Sequence, residues 1–337
     1  MNARRQVPGA SKEAAIMRRI TVALAVVALA ATGCGGIRAN AGEPSTPPPP
    51  LSKAAAKTVL ANYVAARDRA DRTMNDKLLA TFESNPSLQV DLADYAWARF
   101  DKNKSYDSYE FVEPTFFIPG IAGYPKWFMT KSRESPNSDR PTVMIFQRQR
   151  AGGPWHQVFT SSLHDVSGMP KPATNPDGSL QAAADTDASA AMTPKATMNA
   201  YARYLNKDGA VAAAYRIEPD LDTGKLISSR ANNIARLAAC CTVTESYSTA
   251  ADEPAYALRT TDGGLLVFFA LHRTETMTVT EGDYYIDSDQ SPWNTETHAA
   301  RVTKEYVYEL MVKVPPKGSG NLTVIGNYWN ETAKFLE

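Results

Sequence analysis

Four histidines offer the simplest chemistry in this sequence, because histidine is the commonest general base and metal ligand near neutral pH. They are His156, His164, His272 and His298, and they share no spacing typical of metal ligands. In the stretch HRTE, His272 and Glu275 lie on opposite faces of a predicted strand, since side chains alternate along a strand. The sequence therefore predicts no metal site at these histidines.

Motifs for nucleophilic catalysis and phosphate binding are absent from the sequence. It has no G-x-S-x-G turn, no serine with a lysine three residues later, and no glycine-rich loop ending in Lys-Ser or Lys-Thr. Asp287, Asp289 and Ser291 match the first positions of a calcium loop. However, Pro292 replaces the glycine of the sharp turn, and His298 replaces the closing glutamate. We therefore interpret this stretch as a solvated acidic loop that does not bind calcium. No catalytic residue and no cofactor is predicted.

The sequence contains three cysteines, of which Cys240 and Cys241 are neighbours. In an oxidising compartment these two can form a vicinal disulfide, which closes a small ring. The alternative is two buried thiols that pack as small apolar side chains beside the segment IARLAA. No histidine or further cysteine lies within thirty residues of the pair, so a metal site is not predicted there.

Aromatic side chains are concentrated between residues 95 and 128. Most of them must form the core of an α+β domain, because large rings dominate burial in such domains. The stretch FFIPGIAGYPKWF also contains glycine and proline, a composition typical of a loop or of a pocket rim. Phe116, Phe117, Tyr124 and Trp127 are therefore candidate residues for a ligand pocket or a protein interface.

The N-terminal residues determine the destination of the chain. An apolar run from Ile20 through Gly33 follows Arg18 and Arg19. This run is shorter than the roughly 20 apolar residues that a membrane-spanning helix needs. Basic residues, a short apolar run and small residues before a boundary form a removable export signal. Residues 1–33 are therefore predicted to be a signal peptide, and the compact signal that begins at Met17 favours a start there.

The end of the apolar run, AATGCGG, resembles the processing site of bacterial lipoproteins, although Ala31 occupies a position where leucine is usual. The resemblance implies that Cys34 is the lipidated first residue of the mature protein, anchored in the cell membrane on its extracytoplasmic face. The alternative is a secreted soluble protein with an incidental cysteine. Residues 34–50 end in four prolines and form a tether, because polyproline is extended by about 3.1 Å per residue.

Charge and length limit the function of the mature chain. Removing residues 1–33 leaves 31 basic and 35 acidic residues, a net charge of −4. A nucleic-acid-binding protein needs a basic face to release counterions from phosphates, so this class is excluded. About three hundred residues can form one large domain or two ordinary ones.

The elements that must position any site fall into two similar blocks. In residues 51–166, Ser52 can cap a helix whose apolar face ends at Arg67, a side chain predicted to snorkel to solvent. A shorter helix and several aromatic-rich strands follow. Residues 167–192 are small, polar and turn-forming, which is typical of a linker.

In residues 193–337, Thr193 and Pro194 begin a helix, and Asp262-Gly263 joins two strands of a hairpin. The predicted fold is α+β, with two tandem domains that each have N-terminal helices followed by a curved antiparallel sheet. This element order resembles the nuclear-transport-factor-2-like cone, a sheet wrapped around a helix that leaves a pocket at one end. The complete chain, with its signal, tether and tandem domains, is similar to actinobacterial lipoproteins of unknown function.

The expected function is a non-catalytic envelope lipoprotein that binds an apolar small ligand or an envelope protein. The first alternative is an enzyme whose acid and base lie in a cone pocket without a sequence signature, with Asp91, Asp94 and Tyr95 as the first residues to test. The second is the solute-binding subunit of an importer. Such subunits alternate strand and helix, whereas these blocks segregate them.

Overall fold

Helices begin where the sequence provides capping residues. The Oγ atom of Ser52 accepts a hydrogen bond from the Ala55 amide at 3.2 Å, and the Thr193 hydroxyl accepts one from the Ala196 amide at 3.1 Å. Both predicted caps are therefore confirmed. The helices are α1 (Lys53–Asp71), α2 (Asp76–Leu79), α3 (Ser87–Phe100), α4 (Pro194–Asn206), α5 (Ala212–Tyr215) and α6 (Leu221–Leu237).

The computed structural model describes residues 46–106, 110–135, 140–164, 168–219, 221–281, 286–287 and 289–337. Residues 46–337 form one compact unit. Its strands are β1 (Glu110–Phe117), β2 (Pro119–Gly120), β3 (Lys126–Ser135), β4 (Pro141–Arg148), β5 (His156–Leu163), β6 (Leu180–Gln181), β7 (Cys241–Ser248), β8 (Tyr256–Arg259), β9 (Leu265–Val279), β10 (Ile286–Asp287), β11 (His298–Ala299), β12 (Arg301–Val314) and β13 (Thr323–Leu336).

One antiparallel sheet contains nine of these strands. The strand order is β1-β3-β4-β5-β13-β12-β9-β7, and β8 pairs with the first part of β9. The predicted hairpin at Asp262-Gly263 is present: Gly263 has a φ of +86°, and the Asp262 carboxylate accepts a hydrogen bond from the Gly264 amide at 3.1 Å. Helices together with a large antiparallel sheet confirm the α+β class.

The last strand joins the two halves of the sheet. In β13, Gly326 pairs with Leu163 of β5 and Asn327 pairs with Ser162. A side chain at position 326 would place its Cβ 2.8 Å from the Ser162 carbonyl oxygen, so this close approach requires glycine. The long strands of both halves therefore belong to one sheet, whereas β2 and β6, and β10 and β11, form two small separate pairs.

Hydrophobic packing also connects the halves through a buried group that we call the inner cluster. Strand side chains alternate between faces, so Phe268 of β9 enters the inner cluster while Phe269 faces α4. The rings of Phe268 and Phe159 meet edge to face at 5.6 Å. The inner cluster consists of Trp127, Met129, Val143, Ile145, Val158, Phe159, Leu163, Tyr256, Leu258, Leu266, Phe268, Met311 and Ile325. The predicted arrangement of two separate tandem domains is not confirmed, because the inner cluster contains residues of both halves of the chain.

The segment predicted to be a linker runs along both halves. Its short strand β6 pairs in parallel with β2 of the first half. The Ala183 amide donates to the carbonyl of Ala257 in β8 at 2.9 Å, and the Ala173 amide donates to the Arg259 carbonyl at 2.8 Å. The described part of this segment, residues 168–192, thus contacts the regular structure on each side, and the domain boundaries themselves stay a prediction.

Candidate functional site

A cavity of about 230 Å³ lies between helix α6 and strands β9, β12 and β13. We call it the Trp329 pocket. Its wall is mainly apolar. Its polar atoms come from three residues near the start of α6 and from Asn327 and Tyr308. The lining residues are Leu205, Asp222, Thr223, Lys225, Leu226, Leu271, Tyr308, Leu310, Asn327 and Trp329. Small-molecule sites in proteins combine an apolar wall with a few polar groups in this way.

Trp329 gives the pocket an exposed aromatic edge. Its side chain is 50% exposed, although its ring stacks on Tyr308 with centroids 5.5 Å apart and planes at 20°. The hydroxyl of Tyr308 accepts a hydrogen bond from Arg273 Nη1 at 3.3 Å. Burial raises the pKa of Tyr308, so this ring stays neutral at physiological pH. The two rings offer a flat surface that is already ordered before any ligand binds.

The polar edge of the Trp329 pocket is held by the first half of the chain. His164, which directly follows β5, contacts Asp222 with Nε2 and Oδ2 at 2.9 Å. Burial acts to raise the pKa of the Asp222 carboxyl, but the hydrogen bond and charge of His164, with Lys225 and Asn327, hold it below its ordinary value. Asp222 is therefore an anion at neutral pH, beside the cation of Lys225.

A second, smaller cavity of about 90 Å³ lies among α1, α3, β4, β5 and β13. We call it the Arg67 cavity. Polar and aromatic residues form most of its wall, unlike that of the Trp329 pocket. The lining residues are Tyr63, Arg67, Asp91, Tyr106, Phe111, Glu134, Thr142, Met144, Thr160, Ser162 and Tyr328.

Arg67 is the centre of a buried ion-pair network. Its Nη1 donates to Tyr63 Oη at 3.0 Å, to Glu83 Oε1 at 3.1 Å and to Asp91 Oδ2. Its Nε lies 3.6 Å from Asp71 Oδ2. The side chain is 13% exposed, so the prediction that Arg67 snorkels to solvent is wrong. The charge stays inside because three carboxyl groups meet it there.

Burial changes the proton affinity of this network. It raises the pKa of Glu83 well above its ordinary value, and the neighbouring Asp91 charge raises it further, against the opposing effect of Arg67. Burial likewise raises the pKa of Asp71. Desolvation disfavours the charged form of a carboxyl group, so Glu83 and Asp71 hold their protons to a higher pH than exposed carboxyl groups do.

The three residues named for the enzyme hypothesis have different hydrogen-bond partners. Asp91 lines the Arg67 cavity. Asp94 lies between α3 and β13, where it accepts hydrogen bonds from the Tyr328 hydroxyl and the Asn330 amide, both at 2.7 Å. Tyr95 is fully buried and donates to Asp71. Asp91 is thus the one of the three that lines the Arg67 cavity, while Tyr95 reaches the same ion-pair network through Asp71 and Asp94 contacts Tyr328 of the cavity wall.

The four aromatic candidates are dispersed rather than grouped. Phe116 packs against the cluster under α1, whereas Phe117 packs against the inner cluster on the other face of the sheet. Trp127 is 7% exposed and meets Tyr256 edge to face at 5.5 Å, and Tyr124 is 46% exposed. None of the four lines the Trp329 pocket or the Arg67 cavity. Their role in a pocket or interface stays a prediction.

The structure places a disulfide between Cys240 and Cys241 just after α6; the redox state of the pair in the cell stays a prediction. Cys34, the signal peptide and most of the tether lie in residues 1–45, outside the described residues. In the part of the chain that is described, no group of three or more His, Cys, Asp or Glu side chains is placed to hold a metal ion.

Both cavities use residues that the sequence did not single out as functional. Trp329 occurs in the predicted strand NYWNE, where a large ring between polar residues was the available signal. Tyr328, which lines the Arg67 cavity, and Glu83, which pairs with Arg67, carry no comparable signal, because both are distant in sequence from Arg67.

Comparisons with known proteins agree with the lipoprotein resemblance. A family model described as a domain of unknown function (DUF8094) matches residues 47–334. An uncharacterized lipoprotein of Streptomyces avermitilis is 27% identical over 314 residues, which cover 90% of each chain. One from Streptomyces coelicolor is 25% identical over 266 residues and 78% of each chain. The predicted similarity to actinobacterial lipoproteins of unknown function is therefore confirmed.

No solved structure matches the chain. The resemblance of each half to the nuclear-transport-factor-2-like cone accordingly stays a prediction. Within the described residues, no helix combines the length and apolar composition needed to cross a membrane.

Proposed function

The chain belongs to the DUF8094 family, and on this premise we propose that it is a lipid-anchored envelope protein that binds a small, largely apolar ligand in the Trp329 pocket without catalysing a reaction. The proposal places residues 34–50 as a tether and the α+β halves, residues 51–166 and 193–337, on the extracytoplasmic side of the membrane. Lipid on Cys34 keeps the protein there. Such anchoring raises the local concentration of binding sites, so that even modest affinity is useful.

The observation that carries this proposal is the half-exposed Trp329 at the edge of an apolar cavity. Monomeric proteins usually bury large rings or leave them isolated. Here Trp329 is 50% exposed, yet Tyr308 holds its ring in place. Five leucine and aromatic side chains behind it, Leu205, Leu226, Leu271, Tyr308 and Leu310, form a wall that an apolar ligand can cover.

The polar edge of the pocket favours one orientation of a bound ligand. Asp222 and Lys225 carry opposite charges, and Asn327 adds an amide. These groups can fix a polar end of the ligand while its apolar part lies against Trp329. The ligand class proposed is therefore a small amphipathic molecule rather than a hydrocarbon.

Native mass spectrometry of the protein from its own host tests this function. The mature chain with Cys34→Ser carries no lipid and avoids detergent, which would compete for an apolar pocket. We expect a retained small molecule on this protein and its loss from Trp329→Ala. Phe335→Ala is the matched control, because Phe335 lies on the same strand, is 49% exposed and does not line the pocket. A ligand-free mass for the Cys34→Ser protein, or equal retention by both variants, would contradict the proposal.

A further inference from the structure

The described end of the tether is fixed to the body of the protein. The amide of Ile121, which directly follows β2, donates a hydrogen bond to the Pro48 carbonyl at 3.4 Å. A Cβ atom at position 120 would clash with the Pro47 carbonyl oxygen, so this close approach requires Gly120. The tether therefore leaves the body beside Gly120 and Ile121.

The rest of the tether is short compared with the body. On the proposed function, on which this inference rests, lipid is attached at Cys34. Residues 34–46 span at most about 43 Å, because a chain extends by no more than about 3.6 Å per residue. A compact unit of about 290 residues is about 50 Å across, from an expected radius of gyration of about 19 Å. The side of the body from which the tether leaves is thus held close to the membrane.

The loop at this exit point has an exposed apolar tip. We call residues 121–125, with the sequence IAGYP, the Tyr124 loop, and residues 122–125 are all exposed. Tyr124 itself is 46% exposed. From Pro114 to Pro125 the sequence contains no charged residue. Tyrosine is enriched at the boundary between lipid and water, because its ring is apolar while its hydroxyl stays hydrated.

Basic side chains lie next to the Tyr124 loop. Lys126 Nζ donates to the Ile121 carbonyl and lies 5.9 Å from the centre of the Tyr124 ring. Arg148 of β4 is the register partner of Lys126 in β3, and Arg150 is exposed in the turn that follows β4. Anionic lipid headgroups attract basic side chains that lie close to a membrane surface.

The charge around the loop is positive, although the mature chain is acidic overall. Neither residues 114–133 nor residues 140–164 contain Asp or Glu. Asp177 lies on a turn that reaches Gly120, and its Oδ1 accepts hydrogen bonds from the Ser179 amide at 2.9 Å and the Ser179 hydroxyl at 2.6 Å. An apolar tip flanked by cations matches a phospholipid surface, which offers phosphates above hydrocarbon.

We propose that the Tyr124 loop is a membrane-contact site. With the lipid of Cys34 in the bilayer, Tyr124 and Pro125 enter the headgroup region, and Lys126 and Arg150 lie beside lipid phosphates. The tether raises the local concentration of the membrane at this loop, so a contact that is weak in free solution becomes populated. The body thereby gains a second point of attachment and presents one fixed side to the bilayer.

Thiol labelling on vesicles tests the contact. The mature chain with Cys34→Ser and Ala122→Cys carries an N-terminal hexahistidine tag, which holds it on vesicles of phosphatidylcholine, phosphatidylglycerol and a nickel-chelating lipid. Imidazole releases the protein and gives the reference rate. We expect maleimide to modify residue 122 about fivefold more slowly on vesicles, which corresponds to a docked state favoured by about 1 kcal/mol. The modified peptide is identified by its mass.

Ser319→Cys is the matched control for the label, because it is an exposed position on the turn between β12 and β13. It should react at the same rate with and without vesicles. Equal rates for residue 122 in the two states would overturn the proposal, and so would equal slowing of residues 122 and 319. Protection of residue 122 on host cells but not on vesicles would assign the loop to a protein partner and would also overturn it.

Variants identify the ring that makes the contact. Tyr124→Ala, combined with Ala122→Cys, should return labelling on vesicles to the reference rate, whereas Tyr124→Trp should keep the protection. Phe335→Ala is the control, because Phe335 is 49% exposed and lies outside the loop. Full protection in Tyr124→Ala would refute the site. The tag replaces the lipid and Trp329→Ala should leave the protection unchanged, so failure of this contact is distinguishable from failure of the proposed function.

Discussion

Asp94 should make the stability of this protein fall as the pH rises. Its carboxylate joins α3 of the first half to β13 of the second by accepting hydrogen bonds from Tyr328 and Asn330, both at 2.7 Å. Burial raises its pKa from an ordinary value of 3.8 to about 6, and the charge of Asp91 adds to this effect. The hydroxyls of Tyr328 and Tyr106 and the charge of Arg67 oppose it.

The size of the effect follows from this difference in pKa. A shift of about two units corresponds to about 3 kcal/mol between the protonated and ionised forms. Because the folded-state pKa lies above the unfolded one, the folded chain binds more protons between about pH 4 and pH 6. The stability that protonated Asp94 contributes is fully present below about pH 4 and is lost as the pH rises through 6.

Urea denaturation of the wild type and Asp94→Asn at several pH values measures this loss. The amide cannot ionise, so the difference between the two proteins isolates Asp94 from the other buried carboxyl groups. We expect the variant to gain about 2 kcal/mol relative to the wild type between pH 4 and pH 7.5. Asp101→Asn, an exposed aspartate directly after α3, should show no such trend. A constant difference between wild type and Asp94→Asn across this range would refute the argument.

Three further predictions concern the core, a helix cap and the anchor. Phe268→Ala should lower the free energy of unfolding by about 3–5 kcal/mol in urea denaturation, since the ring is fully buried in the inner cluster; a cost below about 1 kcal/mol would show that the halves do not pack there. Thr193→Ala should cost about 1 kcal/mol in the same assay, and Thr193→Ser should restore it if the cap is responsible. Cys34→Ser should move the protein from the membrane to the soluble fraction, whereas Cys240→Ser should not, and retention of the Cys34 variant would argue against lipidation.

Local features of the fold were predictable from the sequence. Ser52, Thr193 and the Asp262-Gly263 turn each act on backbone groups within a few residues, so their chemistry is readable without knowing the rest of the fold. The α+β class follows from the change of period between helices and strands.

The union of the two halves was not predictable, because it depends on contacts between distant residues. Only two residue pairs join β5 to β13, and Gly326 at this junction looks like any glycine of a strand. In the sequence, each block shows helices followed by strands, and this pattern indicates two domains. In the structure, the strands of the two blocks meet in one sheet.

In the candidate sites, too, local features were predictable from the sequence and contacts between distant residues were not. Arg67 ends an apolar helix face, which in sequence indicates a snorkelling side chain, but Glu83 and Asp91 pair with it from 16 and 24 residues away. On β13, alternation sends Tyr328 to the Arg67 cavity and its neighbour Trp329 to the other pocket. Sequence alone gives the alternation, but not which elements cover each face.

The position of β13 within the sheet has a consequence for the biogenesis of the protein. This strand is formed by Thr323–Leu336, yet it lies between β5 and β12, so β5 lacks one of its sheet neighbours until those last residues arrive. On the proposed export route the chain crosses the membrane from its N-terminus, so β5 keeps an unpaired edge until β13 has crossed, and an unpaired strand edge invites aggregation. We therefore expect export of this protein to need either rapid translocation or a chaperone outside the membrane. A protein whose N-terminal half folds by itself should need these less.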